Sequence, residues 1–260
     1  MKTTQKLRNG RFTIEMEVLG SGDPLLFLHG AGGLLGNDPF LEELAQDFKV
    51  IAPHLPGYGE STGGEEIDDV IDAALFYHEL MDAMDIPSAH LVGYSMGGML
   101  AAEVAALDVH RVRKLVLAAS AGLWLDDYPI ADIFTAQLYE LPALLFHDPN
   151  SPIAQAIMAL PSDPQALGAM YLERTKRFAM ASKFLWPIPD RGLKKRAYRI
   201  AAPTLALWGE SDKVIPPVYG VEFTRLIANC RHRIIKEAGH MLMYEQQAGF
   251  CDAVKKFLKN

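Results

Sequence analysis

Ala89-His90-Leu91-Val92-Gly93-Tyr94-Ser95-Met96-Gly97-Gly98-Met99-Leu100-Ala101-Ala102 decides how the rest of the chain is read. An apolar run suited to a buried strand stops at Gly93, and an alanine-rich helical run begins just after Ser95. A strand that becomes a helix within three residues must bend sharply. Glycines at 93 and 97 remove side chains that would collide across that bend. Ser95 at the apex is left in a strained conformation, with its hydroxyl pushed clear of the backbone. The N–H of Met96 then points to where an oxyanion would form. The stretch has the form of a Gly-x-Ser-x-Gly nucleophile elbow. The bland alternative is a glycine-softened turn carrying an idle serine.

Upstream, Lys2–Arg8 and Arg11–Leu19 read as two strands joined by a tight Asn9-Gly10 hairpin, whose turn needs positive φ angles. Leu25–Leu28 is apolar on both faces, as in a strand buried inside a sheet. It runs into His29-Gly30-Ala31-Gly32-Gly33. Glycines there allow close backbone approach, and the N–H of Ala31 is a natural partner for Met96 in an oxyanion hole. A glycine-rich loop that merely opens a helix is the other reading. The spacing fits neither a dinucleotide fingerprint nor a P-loop.

Phe40–Phe48 predicts a helix and Lys49–Ala52 a buried strand, followed by the turn-rich Pro53–Ser61. Glu66–Asp85 predicts a helix with Ile67, Val70, Ile71, Ala74, Leu75, His78 and Met81 on its apolar side. Acidic residues crowd its first turn, where they meet the helix dipole favourably as a solvated face. Downstream of the elbow, Val112–Ala119 and Pro203–Gly209 predict further buried strands, and His232–Lys236 the last one. Val218–Ala228 and Glu245–Lys259 predict helices. Strands alternating with helices at this spacing specify an α/β fold with a doubly wound, mainly parallel sheet.

Between Gly122 and Arg191 the pattern changes. No convincing strand is found, and helical spacing is interrupted by Pro129, Pro142, Pro149, Pro152, Pro161, Pro164, Pro187 and Pro189. The expectation is a core of residues 1–121 and 192–260 with a helical cap, 122–191, inserted between core strands above the sheet's C-terminal edge. Trp124, Tyr128, Phe134, Phe146, Met158, Met170, Phe178, Met180 and Trp186 supply its apolar side chains, some for its own core and some for a cleft. From Glu173 to Arg199 nine basic residues meet only two acids. That stretch is either a solvated helix face or an attractor of anionic substrates.

The chain of 260 residues is half hydrophobic, carries a formal net charge of -7, and has no apolar run of membrane-spanning length. That balance argues against a nucleic-acid partner. Met1–Gly10 has no apolar leader core, and two cysteines are too few for a disulfide framework. A cytoplasmic protein without metal or cofactor is expected. The oligomeric state is open, a homodimer included.

A serine at neutral pH needs a base within hydrogen-bond reach, and the base needs an orienting acid. Ser95, Asp212 and His240 each follow a predicted strand, so the C-terminal edge of a parallel sheet can bring them together. Glu210 competes with Asp212 for the acid's place. His29, His54, His78, His90, His110, His147 and His232 do not follow the last strand and read as structural, His29 as a buttress of the glycine loop.

His29–Gly33, Leu55–Ser61, Gly93–Gly98, Trp208–Asp212 and Ala238–His240 together resemble the α/β-hydrolase superfamily, in its capped form, over essentially the whole chain. His54 departs from the Asp that commonly precedes x-Pro-Gly-x-Gly there, which puts local packing in question. The resemblance implies catalysis by Ser95, His240 and Asp212 with an oxyanion hole at Ala31 and Met96. The expected substrate contacts are Gly30 and Gly32 of the loop, Trp124 and Trp186 of the insertion, and Met241. A serine at the elbow separates the chain from epoxide hydrolases and haloalkane dehalogenases, which carry Asp there. The implied partner is a small-molecule acyl substrate, first a carboxylic ester of a small or medium apolar acyl group. Carbon–carbon hydrolysis of a vinylogous diketone acid, as in meta-cleavage-product hydrolases, is the alternative. Against that alternative, the oxyanion loop lacks the usual Pro and Met241 stands where Trp is usual. A lactonase, a thioesterase and a triad-retaining ligand receptor are also open.

Overall fold

In the computed structural model, residues 2–186 and 190–260 are described, apart from the side chain of Asn9; Pro187 and Pro189 lie outside them. Strands β1 (Lys2–Leu7) and β2 (Phe12–Leu19) pair antiparallel, Leu7 opposite Phe12. The turn between them is a short 3-10 segment, Arg8–Gly10, with positive φ at Arg8 and Gly10. It replaces the expected two-residue hairpin. Strands β3 (Pro24–Leu28), β4 (Lys49–Pro53), β5 (Ala89–Tyr94), β6 (Val112–Ala118), β7 (Thr204–Gly209) and β8 (Cys230–Ile235) complete an eight-stranded sheet. Its order is β1-β2-β4-β3-β5-β6-β7-β8, and all pairings beyond β2–β4 are parallel. β3, β5 and β7 are almost wholly buried, because helices cover both faces of the sheet's centre.

The helices in chain order are α1 (Pro39–Leu44), α2 (Val70–Ala83), α3 (Met96–Leu107), α4 (Leu141–Leu145), α5 (Pro152–Ile157), α6 (Pro164–Leu185), α7 (Val218–Leu226), α8 (Leu242–Glu245) and α9 (Gln247–Lys259). α1 is shorter than expected, since the chain turns at Ala45 back toward β4. α2 starts later, where the Asp69 carboxylate accepts the N–H groups of Ile71 (2.7 Å) and Asp72 (3.0 Å). Of the expected face Ile67, Val70, Ala74 and Met81 are buried, but Ala73, Phe76, Tyr77 and Leu80 are inside as well while Leu75 is exposed. Two aromatic rings carry more apolar area than the aliphatics they displace. α3 is buried along nearly its whole length beneath the sheet's centre.

Residues 122–191, between β6 and β7, contain α4, α5 and α6 and no strand among the described residues. Pro142, Pro152 and Pro164 each stand in a helix's first turn, so these prolines start helices rather than interrupt them. Four of the nine basic residues, Arg177, Lys183, Arg196 and Arg199, bond to the core. Lys183 donates to the carbonyls of Gly64 (2.9 Å) and Ile67 (2.7 Å), Arg199 to that of Ala106 (2.8 Å). Arg196 forms a two-pronged pair with the fully buried Glu103, both bonds 2.7 Å. These cations hold the segment on α3 and the loop before α2 instead of forming one free basic face.

Two outcomes test this packing. Removing Arg196 leaves a buried carboxylate unpaired, so Arg196→Met lowers the unfolding free energy by about 2–3 kcal/mol, the Arg being partly exposed. Glu103→Gln in the same chain restores much of the loss in urea unfolding. Burial depresses His90, as it does His29, from 6.5 to about 4, and His90 Nδ1 meets no partner among the described residues. The unfolded chain therefore binds more protons between these values, and stability that is full above pH 6.5 is lost as pH falls toward 4. His90→Leu flattens that slope, read as urea midpoints at pH 4.5, 5.5 and 7.

Candidate active site

The sheet's C-terminal edge places three loop residues side by side, after β5, β7 and β8. At the end of β5, Ser95 has φ 53 and ψ -116, a region that a residue with a β-carbon rarely occupies. The strain is held by four backbone bonds: its N–H donates to Ala118, and its carbonyl accepts from Gly98, Met99 and Ala121. A β-carbon on Gly97 would stand 2.0 Å from the Leu28 carbonyl oxygen, and one on Gly93 would stand 2.4 Å from that of Gly97. Only glycines permit the bend.

His240 joins Ser95 to Asp212. Its Nε2 lies 3.1 Å from Ser95 Oγ and its Nδ1 lies 2.9 Å from Asp212 Oδ2. A carboxylate only accepts, so Nδ1 carries the proton and Nε2 presents its lone pair to the serine hydroxyl. The other Asp212 oxygen accepts the N–H groups of Val214 and Ile215, both at 2.9 Å, which fixes the carboxylate's orientation. All three side chains are buried. Glu210 is exposed and its carboxylate accepts the N–H of Glu237 (3.2 Å), whereas His240 Nδ1 meets Asp212.

The loop after β3 is braced from several directions. Tyr58 donates its hydroxyl to the Ala31 carbonyl (3.1 Å), and Arg177 on α6 donates to that of Gly32 (2.7 Å). The His29 ring donates from Nδ1 to the Gly30 carbonyl (2.8 Å) and accepts the Leu55 N–H at Nε2 (3.0 Å). This wiring requires a neutral ring, and burial supplies it by depressing the pKa to about 4. His29 buttresses the loop. His54 fills the position where Asp is common, with Nε2 3.8 Å from Glu15 and its carbonyl accepting the Ser61 hydroxyl (2.9 Å).

Two cavities meet at Ser95. The larger, about 350 Å³, is lined by Ala31, Gly32, His240 and Met241 at its base and by Met158, Met170 and Phe178 of the insertion. The smaller, about 50 Å³, lies among Met99, Ala121, Leu123, Phe134, Val214 and Ile215. Ile133 borders both. Trp124 and Trp186 line neither among the described residues. The Trp124 indole turns to Asp126 (2.8 Å), and Trp186 is half exposed with its ring edge on Phe134, 6.0 Å between centroids. Gly30 also falls outside both linings, packed beneath the loop against the Tyr94 ring. Met96 is fully buried in the first turn of α3, where helix N–H groups lack intrahelical acceptors.

Glu245 and Arg177 had no motif to mark them, and Tyr94 stood inside the elbow motif with no role of its own assigned. Glu245 accepts the N–H of Gly239 (2.7 Å), next to His240, and the N–H of His147 (2.6 Å) from the insertion. Burial raises its pKa, while both hydrogen bonds favour the ionised form. Tyr94 sets its ring 5.2 Å from that of His240 and donates to the Met241 sulfur (3.2 Å). Arg177, also paired with Glu173 (2.9 Å), was visible only as one charge in a basic run. No group of three or more His, Cys, Asp or Glu among the described residues is arranged to hold a metal, and no described helix is long and apolar enough to cross a membrane.

Such an arrangement can deprotonate Ser95 toward His240 and direct the oxygen at an electrophile seated in an apolar cavity. Known proteins carry similar sequences. Residues 23–247 match the family model for the alpha/beta hydrolase fold. Lipase 1 of Psychrobacter immobilis is 30% identical over 247 residues, covering 91% of this chain and 77% of the lipase. The 2-hydroxy-6-oxo-2,4-heptadienoate hydrolase of Pseudomonas putida is 25% identical over 272 residues, covering 96% and 94%. An esterase structure from Exiguobacterium antarcticum aligns with a TM-score of 0.80 over 100% of both chains; at 21% identity that likeness concerns the fold alone. Since the matched residues run from before the glycine loop to beyond His240, the chain belongs to the α/β-hydrolase fold family and is a hydrolase of that type.

Proposed function

We propose that the chain is a serine hydrolase that cleaves carboxylic esters of small or medium apolar acyl groups through an acyl-enzyme. One observation carries this reading: the unbroken hydrogen-bonded chain Asp212–His240–Ser95 ends at a mainly apolar cavity. His240 takes the Ser95 proton as the oxygen attacks the acyl carbonyl. The N–H groups of Ala31 and Met96 receive the developing oxyanion. His240 returns the proton to the departing alcohol, and water then attacks the acyl-enzyme with His240 again as base. Asp212 holds the imidazole in the useful tautomer and favours the imidazolium. Residues 122–191 act as a cap, its Met158, Met170 and Phe178 closing the cavity over the serine.

Carbon–carbon hydrolysis of a vinylogous diketone acid is the second reading. The Pseudomonas putida relative favours it, as does Arg174 at the larger cavity, its guanidinium carbon 4.6 Å from the centroid of the Phe178 ring. Arg177 supports it less, being already engaged by Glu173 and Gly32.

A fluorophosphonate probe labels the wild-type chain once, and Ser95→Ala abolishes labelling; persistent labelling in an intact-mass measurement would assign the nucleophile to another serine. Asp212→Asn keeps the fold by circular dichroism and lowers kcat on p-nitrophenyl acetate by roughly 10,000-fold, because the imidazole loses its tautomer control. Near-normal turnover would remove Asp212 from the triad.

A further inference from the structure

The two cavities that meet at Ser95 differ in which catalytic groups they touch, and this difference assigns the two halves of the substrate. The inference rests on the ester reading above. His240 and Ala31 border only the larger cavity, while the smaller touches Ser95 but neither of them. Attack by Ser95 forms the bond from Oγ to the acyl carbon and moves the carbonyl electron pair onto oxygen. The tetrahedral carbon then holds four groups: Oγ, the oxyanion, the alcohol oxygen and the acyl chain. The oxyanion must face Ala31 and Met96. The alcohol oxygen must lie within reach of His240 Nε2, because the C–O bond breaks as that nitrogen delivers the proton taken from Ser95. The alcohol's remaining atoms therefore extend into the cavity that His240 borders. The fourth direction is left for the acyl chain, and the smaller cavity, which touches Ser95 without His240 or Ala31, is the space we assign to it.

We infer that the preferred substrate is a short-chain acyl ester of a bulky apolar alcohol. The smaller cavity, about 50 Å³, is bounded by Ala121, Leu123, Phe134, Val214 and Ile215. A single water needs ~10–15 Å³ of such space, so it takes an acyl group of roughly three to five non-hydrogen atoms. Its edge carries Arg191, whose guanidinium is engaged by the carbonyls of Trp186 (2.9 Å) and Lys183 (3.1 Å). The larger cavity, about 350 Å³, accommodates a ring system. Deacylation reverses the geometry: water enters from the His240 side once the alcohol has left, breaks the ester to Ser95, and releases the short acid. The larger cavity must therefore empty before the second half of the cycle can start.

Two ester series on the purified chain test the assignment. One joins acetate or propionate to cyclohexylmethanol and 2-naphthylmethanol; the other joins methanol to octanoate and decanoate. Acid release in a pH-stat is expected to give kcat/KM about 100-fold higher for the first series, in line with what several misplaced methylenes cost in a closed pocket. Phe134→Ala widens the smaller cavity and raises the hexanoate-to-acetate ratio for one alcohol. Met158→Trp narrows the larger and lowers the naphthylmethyl-to-ethyl ratio for acetates. Methyl octanoate or decanoate turned over as fast as the bulky acetates, or the two variants exchanging these effects, overturns the assignment while leaving ester hydrolysis intact. Failure of both series together with no fluorophosphonate labelling of Ser95 overturns the ester reading and this inference together.

Discussion

The site depends on a close approach between backbone atoms. α3 begins so near the end of β3 that no side chain can stand at Gly97, where even a methyl group would meet the Leu28 carbonyl oxygen. This contact sets the distance between the elbow and the glycine loop, because Leu28 leads directly into His29 and Gly30. With that distance fixed, Ser95 adopts its positive-φ backbone conformation at the mouth of the glycine loop. The cost of the Ser95 conformation, of order 1–3 kcal/mol, is held by four backbone bonds from β6, the loop after it and α3. A looser junction would let the serine relax and lose its line to His240.

The rest of the sheet serves that junction by register. Parallel pairing sets Tyr94 level with Ala118 and Leu207, and Gly209 opposite Ile235, so the loops after β5, β7 and β8 leave the same edge of the sheet, those after β7 and β8 two residues further out. Side chains 145 and 28 residues from His240 reach it without distortion for that reason. Further bonds tune the loops. Glu245 holds the turn before His240 to the insertion, and Asp212 is clamped by the two N–H groups that follow it.

Core and site differed in how legible they were from the residues. The strands were readable because β3, β5 and β7 are apolar on both faces, and Ser95 and Asp212 because each follows such a strand; His240 follows the more exposed edge strand β8. The face of α2 was read in part, Val70, Ala74 and Met81 being buried as expected; periodicity places Leu75 and Phe76 equally well, and only the packed sheet decides between them. Trp124 and Trp186 were expected in the pocket as apolar side chains of the insertion, yet one indole satisfies its N–H on Asp126 and the other packs on Phe134 at the surface. Within a proline-rich segment the direction of a side chain follows from where each short helix starts, which composition does not give. Glu245 and Arg177 were invisible as site residues because both act on backbone carbonyls or amides, and such partners leave no residue pattern.

Arg177 carries a consequence for how material enters. Its guanidinium spans from Glu173 on its own helix to the carbonyl of Gly32, so α6 is fastened to the loop that holds Ala31. Any outward swing of α6 wide enough to admit a bulky guest strips that carbonyl of its donor. One side chain thus couples two parts of the wall: a displacement of the long helix is transmitted directly to the glycine-rich turn beneath it.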